Sequence, residues 1–330
     1  MKIRRSLICL LSLLLVLSFF TACNKDGNDT EGSADVFYTV RFNSNGGTPV
    51  EDKLVKQGGS VDEPPIPVRD GFVFDGWYDG NRQWSFSFSV DKDMTLTAKW
   101  VSSESMFEHT PAEDGKTTVI TKLKKEAEEI RLPTVVGGYR VVAIGDRVFS
   151  SLNAETVFRV VVPESITSVG EEAFFNSAGV EIIIEGELSF VGEKAFHGCD
   201  GLKTVKLGGG IANIGFEAFA SSGLESIDLP ESLKTVDESA FDNCTSLETV
   251  FIRDSIEMIG DSAFFDTAVE VIFFYGTDDT VNDTLINKIK TRNDVLKDAR
   301  IYLYSETEPT VETEFDGFFY FDKNGSTRIW

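Results

Sequence analysis

Ile144-Gly145-Asp146-Arg147-Val148-Phe149 opens a pattern that decides the fold. It returns as Val169-Gly170-x-x-Ala173-Phe174, Val191-Gly192-x-x-Ala195-Phe196 and Ile214-Gly215-x-x-Ala218-Phe219, then as Val236-Asp237-x-x-Ala240-Phe241 and Ile259-Gly260-x-x-Ala263-Phe264. The successive Phe residues (149, 174, 196, 219, 241, 264) stand 25, 22, 23, 22 and 23 apart. A unit of about 23 residues cannot bury its own apolar face, so such units must stack into a solenoid.

Between these motifs lie Leu202-x-x-Val205-x-Leu207, Leu224-x-x-Ile227-x-Leu229 and Leu247-x-x-Val250-x-Ile252. The last two residues of each triple are two apart and point to one side of a strand. Stacked strands predict a parallel sheet with the Ala-Phe segments packed behind it. One unit is irregular, because Val180 to Val191 spans 11 residues where its neighbours span 12. The register of Val180 to Glu185 stays open from sequence.

These features resemble the BspA-like leucine-rich repeats, also called the Treponema pallidum type. Pro133, Pro163 and Pro230 fall at that family's proline position, Gly208 and Arg253 depart from it, and Asp237 replaces the glycine. The resemblance implies a surface protein that recognises other proteins, in adhesion for example. Residues 139–276 form the repeats, and Ile130-Arg131-Leu132-Pro133 in the preceding linker and cap, 101–138, reads as a first strand.

Beyond Phe274 the pattern stops. Leu285, Ile286, Ile289 and Leu296 have near-helical spacing, and Arg300 to Tyr304 reads as a strand. Phe318 to Phe321 with Asn324-Gly325 and Ile329-Trp330 suggest a hairpin. Residues 277–330 are therefore expected to cap the solenoid with a helix and β structure.

Residues 36–100 carry another pattern. Tyr38, Val40 and Phe42 alternate toward the turn Asn43-Ser44-Asn45-Gly46-Gly47, whose residues tolerate positive φ. Pro67-Val68-Arg69-Asp70-Gly71-Phe72-x-Phe74-x-Gly76-Trp77-Tyr78 and Thr95-Leu96-x-Ala98-Lys99-Trp100 follow in order. The stretch resembles the Listeria–Bacteroides repeat, a small β-grasp-like module. Phe42, Phe72, Phe74, Trp77 and Trp100 are expected to supply much of its core. The fold class expected for the whole chain is mainly β with short helical or irregular segments, a solenoid preceded by a β module.

The leading residues address the compartment. Lys2, Arg4 and Arg5 precede the apolar run Leu7 to Phe20, which has the form of an export signal over residues 1–22. Phe20-Thr21-Ala22-Cys23 resembles a bacterial lipobox, which implies acylation of Cys23 and attachment to the cell envelope, facing outward. Residues 23–35 are polar and Gly-rich, as a flexible tether would be.

The 330 residues carry a net charge of −23, which disfavours nucleic acid as a partner. Such acidity also suits solubility on an exported surface, and the expected state is monomeric. With 27 Phe and 42% hydrophobic residues the chain has material for packed cores.

No nucleophile elbow, zinc-protease helix or phosphate loop is present, so neither an enzyme, a cofactor nor a metal is expected. His197 beside Cys199 lacks the further ligands that zinc needs and reads as a turn residue. Gly208-Gly209-Gly210 reads as a turn in a spacer. Asp278, Asp279 and Asp283 miss the twelve-residue calcium-loop pattern and read as helix caps.

Cys199 and Cys244 each sit three residues after a motif Phe, where other units carry Ser177, Ser222 and Thr267. Two coils separate them, about 10 Å at ~4.8 Å per coil. That exceeds the ~7 Å reach of a disulfide, so both should be free, buried thiols.

What remains for function is surface. Alternation predicts that Arg131, Val161, Lys206, Asp228, Phe251 and Phe273 face outward in one column. Glu129, Arg159, Thr204, Ser226, Thr249 and Val271 form the column before it. Phe251, Val271 and Phe273 would then be an exposed apolar patch for a partner, unless the C-terminal segment folds over them. Partners are expected to be extracellular or surface proteins, with the membrane contacted through Cys23. Glycan binding and a passive envelope spacer are the alternatives.

Overall fold

The structure, a computed structural model, describes residues 35–275, 299–304, 318–321 and 327–328. The export signal, Cys23, the tether up to residue 34, the expected helix at 283–297 and the aspartates around 279 lie outside the described residues.

The repeats wind into coils with three sides. At the front, strands Glu129–Arg131, Arg159–Val162 and Glu181–Ile184 pair in parallel. A second front sheet runs through Ser226–Asp228, Thr249–Arg253, Val271–Tyr275, Arg300–Tyr304 and Phe318–Phe321, also in parallel. Strand Thr327–Arg328 closes it antiparallel, as a hairpin would. The stacking thus continues past Phe274, where the sequence pattern ends, because backbone pairing needs extended chain and not the motif side chains.

The Ile/Val-Gly segments form another side, which sequence reading did not assign to strands. Ser168–Val169 pairs with Tyr139–Ile144 and with Phe190–Val191, while Asn213–Ile214, Thr235–Val236 and Met258–Ile259 form a separate ladder. The glycine there permits close stacking. A Cβ on Gly192 would lie 2.5 Å from the backbone nitrogen of Glu171 in the coil below.

The back is made by the Ala-Phe turns, and its geometry explains the period. The residues two before and two after each Phe have positive φ, as in Glu172 (51°), Asn176 (55°), Glu217 (50°) and Ser221 (55°). Every second N–H therefore points along the stack. Phe174 donates to the Ala195 carbonyl at 2.8 Å, Phe196 to Ala218 at 2.8 Å and Phe219 to Ala240 at 2.9 Å. The intervening N–H groups bond within their own coil, as Phe175 does to Glu172 at 3.1 Å. In the turn from Glu172 to Ser177 every N–H has such a partner, as a buried backbone requires.

The rings repeat the same spacing. Phe149, Phe174, Phe196, Phe219, Phe241 and Phe264 stack with centroids 5.1 to 5.5 Å apart, nearly parallel and wholly buried. Each ring contributes about 1.5–3 kcal/mol of apolar burial.

The position three residues on behaves as its composition suggests. Ser177 donates to the Phe149 carbonyl at 2.7 Å, Cys199 to Phe174 at 3.0 Å and Cys244 to Phe219 at 3.0 Å. Thr267 instead bonds the Phe264 carbonyl of its own coil at 3.0 Å. Both cysteines are free and buried. Burial pushes the Cys199 thiol up to about 12, and that of Cys244 up as well.

The stack is interrupted at the coil containing residues 199–214. Three residues separate Val157 from Val160 and Leu224 from Ile227, but only two separate Val180 from Ile182. A one-residue slip turns each side chain to the opposite face, so the ladder cannot continue in register. Ile182 meets Leu202 in an isolated bridge, and Lys206–Leu207 pairs instead with Glu187–Leu188. Among the described residues no strand pairing joins Phe190–Val191 to Asn213–Ile214. The back ladder alone runs on unbroken, with Lys194 donating to Phe216 and Phe196 to Ala218.

The β module has strands in the order Lys53–Lys56, Phe37–Asn43, Met94–Ser102, Phe72–Asp79, Arg82–Gln83. Phe42 and Trp77 are buried and meet edge-to-face at 4.9 Å, with Phe74 and Trp100 half-buried beside them. Phe72, expected in this core, instead lies half-buried under the Arg69 guanidinium at 4.0 Å. It lies at the start of its strand, opposite Ser102, on the same sheet face as Phe74 and Trp77 but at the margin of their cluster.

A one-turn helix, Ser103–Met106, leads into the hairpin Phe107–Pro111 and Thr117–Leu123, which pairs with Tyr139–Ile144. Val73 and Met106 belong to the solenoid core, and the Ser103 hydroxyl lies 2.9 Å from the Gly71 carbonyl and 3.1 Å from that of Val135. The module is thereby seated on the first coils.

Phe196→Ala should lower the unfolding free energy by about 3–5 kcal/mol in urea titration, since the two flanking rings cannot close the gap. In a chain beginning at Asn24, the two thiols should stay unreactive toward iodoacetamide at pH 8 and both react in denaturant. A native chain that is alkylated rapidly would contradict their burial.

Candidate recognition face

The side chains that alternate with the buried front residues make the candidate face. Near the start it is ionic. Arg159 donates to Glu181 at 2.6 Å and to Glu129 at 3.3 Å, joining three coils. The hydrogen bond that Arg159 donates to Glu181 is the main cause that raises its already high pKa. Arg131 meets both oxygens of Glu185 at 2.7 Å. Half-exposed pairs of this kind are worth about 0–1 kcal/mol each, so they shape the surface more than they stabilise the fold.

Val161 does not face solvent as alternation predicts, and this is a correction. It is only 4% exposed. Its neighbours in register are Arg131 and Ile183, and the Arg131–Glu185 pair spans the coil that carries it. Alternation gives the direction of a side chain, but neighbours on adjacent coils decide whether water reaches it.

Thr204 and Lys206 are exposed, yet they do not continue either column. The slip at Ile182 removes their coil from both front sheets, and the expected unbroken columns become two separate ladders. Ser226 and Asp228 are exposed and start the second ladder, where Thr249 is half-buried.

That second ladder is aromatic. Phe251 stacks on Phe273 at 4.9 Å, and Phe273 on Tyr302 at 5.1 Å. Phe251, Val271 and Phe273 are half-buried, so the patch is less exposed than the sequence suggests. Arg253 lies 2.9 Å from Asp228 one coil below and 4.0 Å over the Tyr275 ring one coil above. Sequence reading missed Glu181, Ile183 and Glu185, whose register it left open, and Arg253, Tyr275 and Tyr302. A two-residue period applied through Tyr275 and Arg300–Tyr304 finds the last three.

On the back, His197 packs on Phe175 at 5.1 Å with Nδ1 3.0 Å from Glu217 Oε2. Gly208 donates to the Leu188 carbonyl at 2.8 Å and its own carbonyl closes a turn to Ile211 at 3.2 Å. Among the described residues, no group of three or more His, Cys, Asp or Glu side chains is placed to hold a metal ion. No helix there is long and apolar enough to cross a membrane.

Comparison with known proteins adds the following. A family described as "BspA type Leucine rich repeat region" matches in six copies over residues 126–207 and 167–291, half of the chain. The Listeria-Bacteroides repeat domain matches residues 38–99. A protein of Evansella cellulosilytica named as a Gly-rich membrane protein is 43% identical over 67 residues, covering 19% of this chain and 8% of that protein. The chain thus spans less than a tenth of that relative's length. The Treponema pallidum leucine-rich repeat protein structure is 23% identical, covers 51% of this chain and 68% of its own, and superposes with a TM-score of 0.35. A leucine-rich repeat protein from Bacteroides ovatus is 20% identical over 61% of this chain and 64% of its own, with a TM-score of 0.41.

Val161→Ser should cost about 2 kcal/mol in urea titration, as for a polar group placed in a buried site. Lys206→Ser should stay within about 0.5 kcal/mol of the parent. Equal effects would return Val161 to the surface.

Proposed function

The chain belongs to the BspA-type leucine-rich repeat family, and from that premise we propose that it is a non-catalytic surface protein whose solenoid front binds other proteins. The observation that carries this reading is the row Phe251, Phe273 and Tyr302, half-buried on the outward side of the second front sheet with Arg253 and Tyr275 beside it. Aromatic residues and arginine are the side chains most enriched where protein interfaces draw their affinity. The ionic ladder around Arg159 and Arg131 supplies an adjacent polar rim, suited to orienting a partner.

The lipobox-like stretch Phe20-Thr21-Ala22-Cys23 supports a lipid anchor. Acylation of Cys23 would hold the chain at the envelope with at least two acyl chains, enough for stable attachment. Extracellular matrix proteins and proteins of neighbouring cells are the partner class that such a position makes available, and adhesion is the role it suits.

Two experiments test the reading. The double variant Phe251→Ser/Phe273→Ser should bind at least about tenfold more weakly to whichever partner an array of extracellular proteins identifies. Its melting temperature should fall by only a few degrees, since half-buried rings contribute about 1 kcal/mol each. Undiminished binding, or an unfolded variant, would refute the assignment of the face. Cys23→Ala should move the protein from the membrane fraction to the soluble fraction of its native host, and retention in the membrane would refute the lipid anchor.

A further inference from the structure

We propose that the cavity between the β module and the first coils receives a lysine or arginine side chain of the partner protein, as an anchor point at the end of the front face. This rests on the reading of the front as a protein-binding surface and adds the chemistry of the partner. The cavity has a volume of about 770 Å³, within the range of small binding sites. Phe74, Trp84 and Phe86 line it from the module, and Phe158, 45% exposed, from the solenoid. Glu129 and Arg131 of the charged ladder line it too, so cavity and front are continuous. Both are already held, by Arg159 at 3.3 Å and by Glu185 at 2.7 Å. They mark the junction and do not select what enters.

The aromatic residues of the module differ inside and outside this cavity. Outside it, the module places its own cations over them. Arg69 lies 4.0 Å from the Phe72 ring, Lys99 3.8 Å from Tyr78 and Arg82 4.3 Å from Phe88. Among the described residues no basic side chain lies over Phe74, Trp84 or Phe86. Carboxylates share their lining instead. Glu63, Asp75 and Glu128 are its exposed acids, against Lys125 as its exposed base. Among the described residues Glu63 and Glu128 enter no ion pair.

Aromatic faces and carboxylates attract the same class of group, a cation. An anionic ligand meets an excess of like charge here, and a purely apolar one desolvates the acids without compensation. A bare metal ion is poorly served, because no three of these carboxylates are grouped to hold one. A lysine or arginine side chain answers both features, with its methylene stem on the rings and its charged head among the acids. The shared residues Glu129 and Arg131 make a protein segment the carrier, since a partner laid on the charged ladder reaches the cavity without leaving the surface.

The test uses the full chain and short synthetic peptides, identical except for lysine, arginine, norleucine or glutamate at two central positions, in fluorescence anisotropy at physiological ionic strength. We expect the lysine and arginine peptides to bind about tenfold or more tightly than the other two. Phe158→Ala and the pair Glu63→Gln/Glu128→Gln change exposed side chains, leave the fold intact and should each weaken that binding by about threefold or more. The pair Glu164→Gln/Glu187→Gln, an equal loss of charge at exposed positions outside the cavity, should leave it unchanged. The Phe251→Ser/Phe273→Ser variant should hold the peptides normally, so a failure of the aromatic row to bind a partner is read apart from a failure here. Equal binding of norleucine or glutamate peptides, insensitivity to both cavity variants, or an equal loss in the remote pair would overturn the proposal. Spermine bound as tightly as the basic peptides would overturn the protein segment as the occupant.

Discussion

A coil of about two dozen residues is too small to shelter its own backbone, and everything else in this molecule follows from that shortage. The back turns meet it by alternation. One N–H closes the local turn and the next reaches to the neighbouring coil, so donors and acceptors are matched along the stack. Left-handed residues at fixed distances from each Phe make the alternation possible. Because L-residues other than Gly, Asn and Asp adopt that conformation at a cost, the stacking that follows must more than offset it. The phenylalanine column, wholly buried, is one source of that gain.

The front face inherits its character from the same repetition. Identical register places equivalent residues directly above one another, so like neighbours accumulate into columns. Where the residues alternate in charge, Arg159 can serve Glu129 and Glu181 together. Where they are aromatic, rings stack at nearly ring-to-ring distance. A solenoid thus converts a choice made once per coil into a stripe many coils long, which is a means of building an extended surface from little sequence information.

Much of this was legible in advance. The period, the buried Phe, the inward strand residues and the small hydrogen-bonding residue at the turn all repeat, and repetition is what sequence displays best. The Ser168–Val169 class of strand was not legible, since two residues show no alternation. Val161 was misplaced because its burial depends on Arg131 and Glu185, residues 30 positions before it and 24 after it. Thr204 and Lys206 were misplaced by a single missing residue upstream, visible as an irregular length but not as a break in two ladders. The seating of the β module was wholly hidden, since Val73 and Met106 join the solenoid core from outside the repeats.

That missing residue has a modular meaning. At the coil of residues 199–214 the front ladder and the Ile/Val-Gly ladder each break once, at opposite junctions of that coil, while the phenylalanine spine carries through both. The charged block and the aromatic block therefore belong to separate sheets on a common spine, so the residues of one can change without shifting the register of the other.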